Sequence, residues 1–276
     1  THLLANYKPE DEYVRLSIAE ALHEIAKVAS EGLKPHFPAI VPLIFIAKFD
    51  EDETTSSVYK KVWEECGSSV GLYMSGTLAQ IKLALADSSW KLKKQGALAL
   101  SAVSEVVSTD PWEPFIGELL EDLTKIIPGS VWDGKEKLLL AVGDLLKSNA
   151  VLLWEITDGI AVLPKLVNAL MLECKKTKSR EYQLQALNAL GTCVKHIYEA
   201  HATQVRKEMG ESPPYSVMSE DLFALLSKLA TTRLDVSPEE SQATEKTMSL
   251  SLRANAIKAM CLVFPLHHFD DRATYF

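Results

Sequence analysis

Gly67-Ser68-Ser69-Val70-Gly71 has the G-x-S-x-G form of the serine hydrolases. That chemistry needs a strand entering the serine and a helix leaving it, so that the hydroxyl stands on a strained turn. Here a helical pattern precedes the string and no strand pattern occurs nearby, so it reads as a turn between helices. Cys193, His196 and His201, with Glu199 beside them, share one helical face and could form part of a metal site. They supply three ligands at most, and Cys193 belongs to an apolar face, so packing is the preferred reading. His267-His268 with Asp270 and Asp271 is a mixed polar tail. Ser57-x-x-Lys60 and Ser88-x-x-Lys91 have the Ser-x-x-Lys form, but both are helix starts. Ser212-Pro213 and Ser237-Pro238 could meet proline-directed kinases, although Ser237-Pro238-Glu239-Glu240 is equally a helix-start signal. No catalytic residue, metal, cofactor or small-molecule substrate is expected.

The elements that carry these residues are helices. Val14, Ile18, Ala21, Leu22, Ile25, Val28 and Ala29 follow i, i+3/i+4 spacing over 13–29. A helix with Phe37, Ile40, Val41, Ile44 and Lys48 on its face follows, containing Pro42, which should bend it. Next come faces of Val58, Val62, Cys66 and Val70, then Leu78, Ile81 and Leu85. Leu92, Gly96, Ala99, Val103 and Val106 form a further face, on which Gly96 and Ala99 would let another helix approach closely. Phe115, Leu119, Leu123 and Ile126 mark a helix that is followed by one with Leu138, Ala141, Val142 and Leu145. Leu163, Val167, Leu170 and Cys174 pair with Tyr182, Ala186, Ala189, Leu190, Cys193 and Ile197. Leu222, Leu226 and Leu229, and then Ile257, Met260 and Phe264, mark the last two. No stretch alternates with period two over the length of a strand, so the fold class is all-α.

A basic residue opens every second helix. The anchors Arg15, Lys60, Lys93, Lys135, Arg180 and Arg253 lie 45, 33, 42, 45 and 73 residues apart. The middle gaps straddle the roughly 40–47 residues of HEAT-type repeats. The predicted architecture is an α-solenoid of about five to six HEAT-like hairpins. It is expected to form one array over 1–276, a slice of a longer chain, with polar insertions at 206–220 and 235–248. The first helix reads as the second member of a pair. Cations at a helix N-terminus oppose its dipole, so the turn acids Asp50, Asp52, Asp87 and Asp133 are expected to compensate, as a ladder between neighbouring repeats. The tryptophans Trp63, Trp90, Trp112, Trp132 and Trp154 fall at helix starts and turns, either as plugs between hairpins or as interface anchors.

Composition sets further bounds. The 276 residues are 47% hydrophobic and 24% charged, which is globular. The formal charge of −8 opposes broad phosphate-backbone binding, so no nucleic-acid partner is expected. Four separated cysteines on apolar faces, without CxxC spacing, favour a reduced intracellular compartment. No apolar run is long enough to cross a bilayer, so no membrane insertion is expected.

Two blocks go beyond generic repeat character, Ser89-Trp90-Lys91-Leu92-Lys93-Lys94-Gln95-Gly96-Ala97 and Val131-Trp132-Asp133-Gly134-Lys135-Glu136. With Tyr59-Lys60-Lys61-Val62-Trp63-Glu64-Glu65 and the spacing between them, they resemble the C-terminal part of the large proteasome adaptor and scaffold family of the extracellular-mutant group. The resemblance is good over 14–150 and looser over 160–205. It implies an all-HEAT solenoid without enzymatic activity, whose partners are core and regulatory particle subunits of the 26S proteasome. Bridging of the two particles, assembly quality control, and a cytoplasmic and nuclear location are implied in the same way. The alternative is another HEAT scaffold, such as a nuclear transport receptor or phosphatase scaffold. Partner contact is expected at exposed basic and aromatic residues near the second-helix starts, Trp90, Lys91, Lys93, Lys94, Trp132 and Lys135.

Overall fold

The structure is a computed structural model, which describes residues 11–66, 69–176, 179–209, 220–231 and 242–263. Among these residues there are helices and turns and no strand. The all-α expectation holds, and the helices pair as HEAT-like hairpins of the α-solenoid class. In order they are α1 (Glu12–Leu33), α2 (Phe37–Ala47), α3 (Glu53–Cys66), α4 (Met74–Ala86), α5 (Trp90–Val106) and α6 (Ile116–Ile126). There follow α7 (Lys135–Glu155), α8 (Thr157–Cys174), α9 (Arg180–Met209), α10 (Glu220–Thr231) and α11 (Gln242–Val263). Residues 206–209, 220 and 242–248 of the segments expected as polar insertions are helical. The remainder of those segments, with Ser212 and Ser237, lies outside the described residues, as do Gly67, Ser68, Phe264 and the His267-His268 pair.

The chain divides into two compact units, residues 1–115 with 130–141, and residues 116–129 with 142–276. In the first unit α2 pairs with α3 and α4 with α5, while α2 also touches α4 and α1 packs on α3. First helices therefore meet first helices, and second meet second. The core beneath α1 to α3 contains Ile18, Leu22, Ala26, Phe37, Ile40, Ile44, Tyr59 and Val62. In the second unit α8 pairs with α9 and α10 with α11, α6 touches α8, and α9 touches α11.

The turns are fixed by side chains that satisfy the orphan N–H groups of helix starts. Asp11 accepts the Val14 N–H at 3.1 Å and Asp52 accepts that of Thr55 at 2.6 Å. Ser179 Oγ accepts the Tyr182 N–H at 3.2 Å. Close approach of α4 and α5 requires Gly96, where an added Cβ would lie 2.9 Å from Ala84 Cβ. Gly76 of α4 meets the ring of Pro42, which lies inside α2.

Three faces differ from the periodic expectation. In α1 the buried positions are Arg15, Ile18, Ala19, Leu22 and Ala26, while Val28 is 83% exposed and Ala29 leaves helical geometry at φ −141°. The face turns toward Arg15 because this arginine is spent on a buried ion pair. In α6 the core residues are Ile116, Leu119, Leu120 and Leu123, with Ile127 beyond, so Phe115 and Ile126 lie off the core. In α11 the small residues Ala256 and Ala259 are buried with Leu252, and Ile257 is half exposed.

Candidate functional site

Trp90, Lys91, Lys93 and Lys94 occupy the first turns of α5 because the chain enters that helix through an acidic turn. Asp87 Oδ1 accepts the Ser89 N–H at 2.7 Å, and Ser89 is extended at ψ 120°. Lys91 then reaches Glu51 of the α2–α3 turn and forms an ion pair, with its Nζ 5.8 Å from the Trp90 ring centroid. Glu51 thereby offsets the repulsion between the lysine and the helix N-terminus. Lys93 Nζ lies 6.0 Å from the ring centroid of Trp132, at the outer limit of a cation–π contact. The Lys94 stem lies on Gly134, where an added Cβ would come within 2.8 Å of Lys94 Cδ. Gly134 also has φ +91°, a conformation that L side chains rarely adopt. The Gly134-Lys135 block is thus shaped by Lys94.

Five of the six expected contact residues accordingly share one edge of the first unit. Trp90 is 38% exposed, and Lys91, Lys93, Lys94 and Trp132 are half-buried. Lys135 is different. It is 1% exposed, and its Nζ reaches the Ser130 carbonyl at 3.3 Å. The expectation that it is surface-exposed is corrected, because this lysine fastens the turn before α7.

Acid–base pairing between neighbouring hairpins is seen at Arg15, with the expected Asp50, and at Lys91, with Glu51 in place of an expected aspartate. Arg15 pairs with Asp50 through Nε at 2.8 Å and Nη2 at 3.2 Å, and both side chains are buried. Asp50 also accepts the Asp52 N–H at 2.9 Å, so one carboxylate joins the α2–α3 turn to α1. Lys91 pairs with Glu51, whereas Asp87 caps its own turn.

The enzyme-like constellations separate. Ser69 opens a 3-10 turn, Val70–Tyr73, rather than following a strand. Cys193 is fully buried, and burial next to the Asp144 charge pushes its thiol pKa far up. His196 Nδ1 lies 3.2 Å from Glu199, and His201 stacks on Trp154 at 4.6 Å between ring centroids. Burial lowers the pKa of both histidines, with Glu199 opposing the effect at His196. Among the described residues no group of three or more His, Cys, Asp or Glu could hold a metal ion. No described helix is long and apolar enough to cross a membrane.

Two polar clusters were not anticipated. Lys48 stands among three aromatic rings, 4.4 Å from Trp63, 4.8 Å from Phe45 and 5.9 Å from Phe49. Its pKa is lowered, first by burial and then by Lys60, with Glu64 opposing. The spacing of Phe45, Lys48 and Phe49 on one face at the end of α2 is the signal that could have found it. In the second unit Glu173 is fully buried and accepts from Tyr182 Oη at 2.6 Å and from Lys176 Nζ at 2.6 Å and 2.7 Å. Gln183 Nε2 donates to the Cys174 carbonyl at 2.8 Å and closes the same turn.

No family model matches the chain. The human "Proteasome adapter and scaffold protein ECM29" is 26% identical over 196 residues, which is 67% of this chain and 10% of that protein. The "Proteasome-associated protein ECM29 homolog" of Drosophila melanogaster is 28% identical over 63% of this chain and 9% of its own length. The "Proteasome component ECM29" of Saccharomyces cerevisiae is 25% identical over 60% and 9%. Over 60–67% of its length this chain is similar to these ECM29 proteins. It spans about a tenth of the length of the relatives it matches. A crystal structure of an engineered protein aligns over 94% of this chain and 96% of its own, at 15% identity and a TM-score of 0.42. At that score the likeness carries no argument, and the fold rests on the helices described above.

Proposed function

We propose that this chain is a segment of a non-catalytic scaffold that binds the 26S proteasome. In this reading the scaffold bridges core and regulatory particles, takes part in assembly quality control, and works in cytoplasm and nucleus. The observation that carries the reading is the match to three proteins named as proteasome adapter, associated protein or component, over 60–67% of the chain. The contact surface is the edge formed by Trp90, Lys91, Lys93, Lys94 and Trp132, a basic and aromatic group on a protein of net charge −8. Helix α5 holds four of these side chains and the turn before α7 holds Trp132, an arrangement that suits recognition of a large partner.

Affinity purification of the full-length protein tests the reading. Proteasome subunits should be recovered with it. Joint reversal, Lys91→Glu with Lys93→Glu and Lys94→Glu, should weaken recovery about tenfold, given the modest worth of each rim charge. The helical circular dichroism should stay unchanged. Recovery without proteasome subunits removes the reading, and undiminished recovery of the triple variant removes the edge from it.

A further inference from the structure

An open groove of about 190 Å³ lies in the first unit between α2, α4 and the start of α5. Its walls are apolar, formed by Leu43 and Ile46 of α2, Leu83 of α4 and Leu92 of α5. Leu83 is 64% exposed. Cofactor and drug-sized sites begin at roughly 300 Å³, so the groove is too small for such a ligand. It has room for one anchoring side chain and the backbone on either side.

The polar groups on its lining decide what fits. Gln95 lines the groove, is only 5% exposed, and its amide has no hydrogen-bond partner among the described residues. Its amide atoms are not among the fully buried polar atoms that lack a partner, so they open onto the groove. Gln80, on the same lining, likewise has no side-chain hydrogen bond among the described residues. An amide offers an acceptor and two donors, the complement of one peptide unit. Two of them along an apolar trough match an extended backbone that carries an aliphatic residue. Asp87 also lines the groove. Its Oδ1 is used by the Ser89 N–H, which leaves the net charge of the carboxylate for a cation.

We propose that this groove binds an extended segment of a partner protein in which an aliphatic residue is followed by lysine or arginine. The aliphatic side chain enters between Ile46 and Leu83, the backbone bonds Gln95 and Gln80, and the basic side chain meets Asp87. The proposal deepens the scaffold reading and rests on it for the kind of occupant, a protein chain.

The test is an NMR titration of the isotope-labelled 276-residue chain. The probes are the blocked peptide Ala-Ala-Leu-Lys-Ala and two comparators, with Glu replacing Lys or Ala replacing Leu. Side-chain NH2 signals of Gln95 and Gln80 are assigned with Gln95→Leu and Gln80→Leu. The Leu-Lys peptide should shift both signals saturably in the millimolar range. It should bind about fivefold tighter than the Leu-Glu peptide, the worth of one rim charge pair, and tighter than the Ala-Lys peptide. Asp87→Asn, which can still accept the Ser89 N–H, should erase the preference for lysine. Signals unmoved at about 10 mM peptide, the weakest range worth calling recognition, would overturn the proposal. Equal binding of Lys and Glu peptides would overturn it too. Peptide binding by a protein that recovers no proteasome subunits supports the groove and sinks the named partner. Proteasome recovery without peptide binding sinks the groove alone.

Discussion

Two glutamines near the starts of second helices are used in opposite ways. Gln183 of α9 is 1% exposed and donates to the Cys174 carbonyl, beside the buried Glu173, Tyr182 and Lys176 cluster. Gln95 of α5 is almost as buried, yet its amide has no partner among the described residues and lines a groove. The cations differ likewise. Arg180 donates to Gln183 at 2.9 Å, inside its own turn, whereas Lys93 and Lys94 stand along an edge with Trp132. A glutamine near the start of a second helix can therefore close a hairpin or face a groove. What separates the two is where the hydrogen bonds go.

Breaking the closed turn should have the largest effect. Glu173→Ala removes the acceptor of Tyr182 and Lys176 and opens a cavity, at an expected cost of about 2–4 kcal/mol in urea denaturation. A cost below about 0.5 kcal/mol, the range of ordinary surface substitutions, would show that the cluster holds nothing. Next is the seam of α4 and α5. Gly96→Ala forces a methyl to within 2.9 Å of Ala84 Cβ and should cost about 1–3 kcal/mol. Gly143→Ala in α7 meets a Thr192 methyl at 3.3 Å, which can yield, so its cost should be the smaller. Equal costs for the two would mean that backbone approach does not set the seam.

The glutamine pair gives the sharpest contrast. Gln183→Leu strands the Cys174 carbonyl and should cost about 1–3 kcal/mol, while Gln95→Leu should be neutral or slightly stabilising. The same sign and size for both would dissolve the distinction between them. Thiol labelling of the native chain should show the smallest energetic effect. Burial next to Glu173 pushes the Cys174 thiol pKa up to about 12, and Cys193 is raised further. At pH 8 both stay protonated and buried, so Cys261, which is exposed, should react first. Labelling of Cys193 at the rate of Cys261 would contradict the packing of α9.

Much of this was legible in periodicity. The faces of α7, α8 and α9 emerge as expected because Leu, Val and Ala there follow the helical repeat without interruption. Gly96 and Ala99 announced the close seam with α4 through their small size alone. The α1 face escapes an apolar count because the burial of Arg15 depends on Asp50, 35 residues away. The hydropathy of Ile257 predicts a core position, yet α11 turns Ala256 and Ala259 to the core. Lys135 looked like one more surface cation, since its burial depends on the tertiary turn at Ser130. Gln95 left no mark at all, because a glutamine in a lysine-rich turn reads as solvated surface until the groove beside it is seen.

Cross-linking mass spectrometry of the intact protein bound to proteasomes is the most direct measurement. The account predicts amine cross-links from Lys93 or Lys94 to proteasome subunits, and none from Lys176, which is held by Glu173. Cross-links from Lys176 and the lysines of α9, with silence at Lys93 and Lys94, would contradict it.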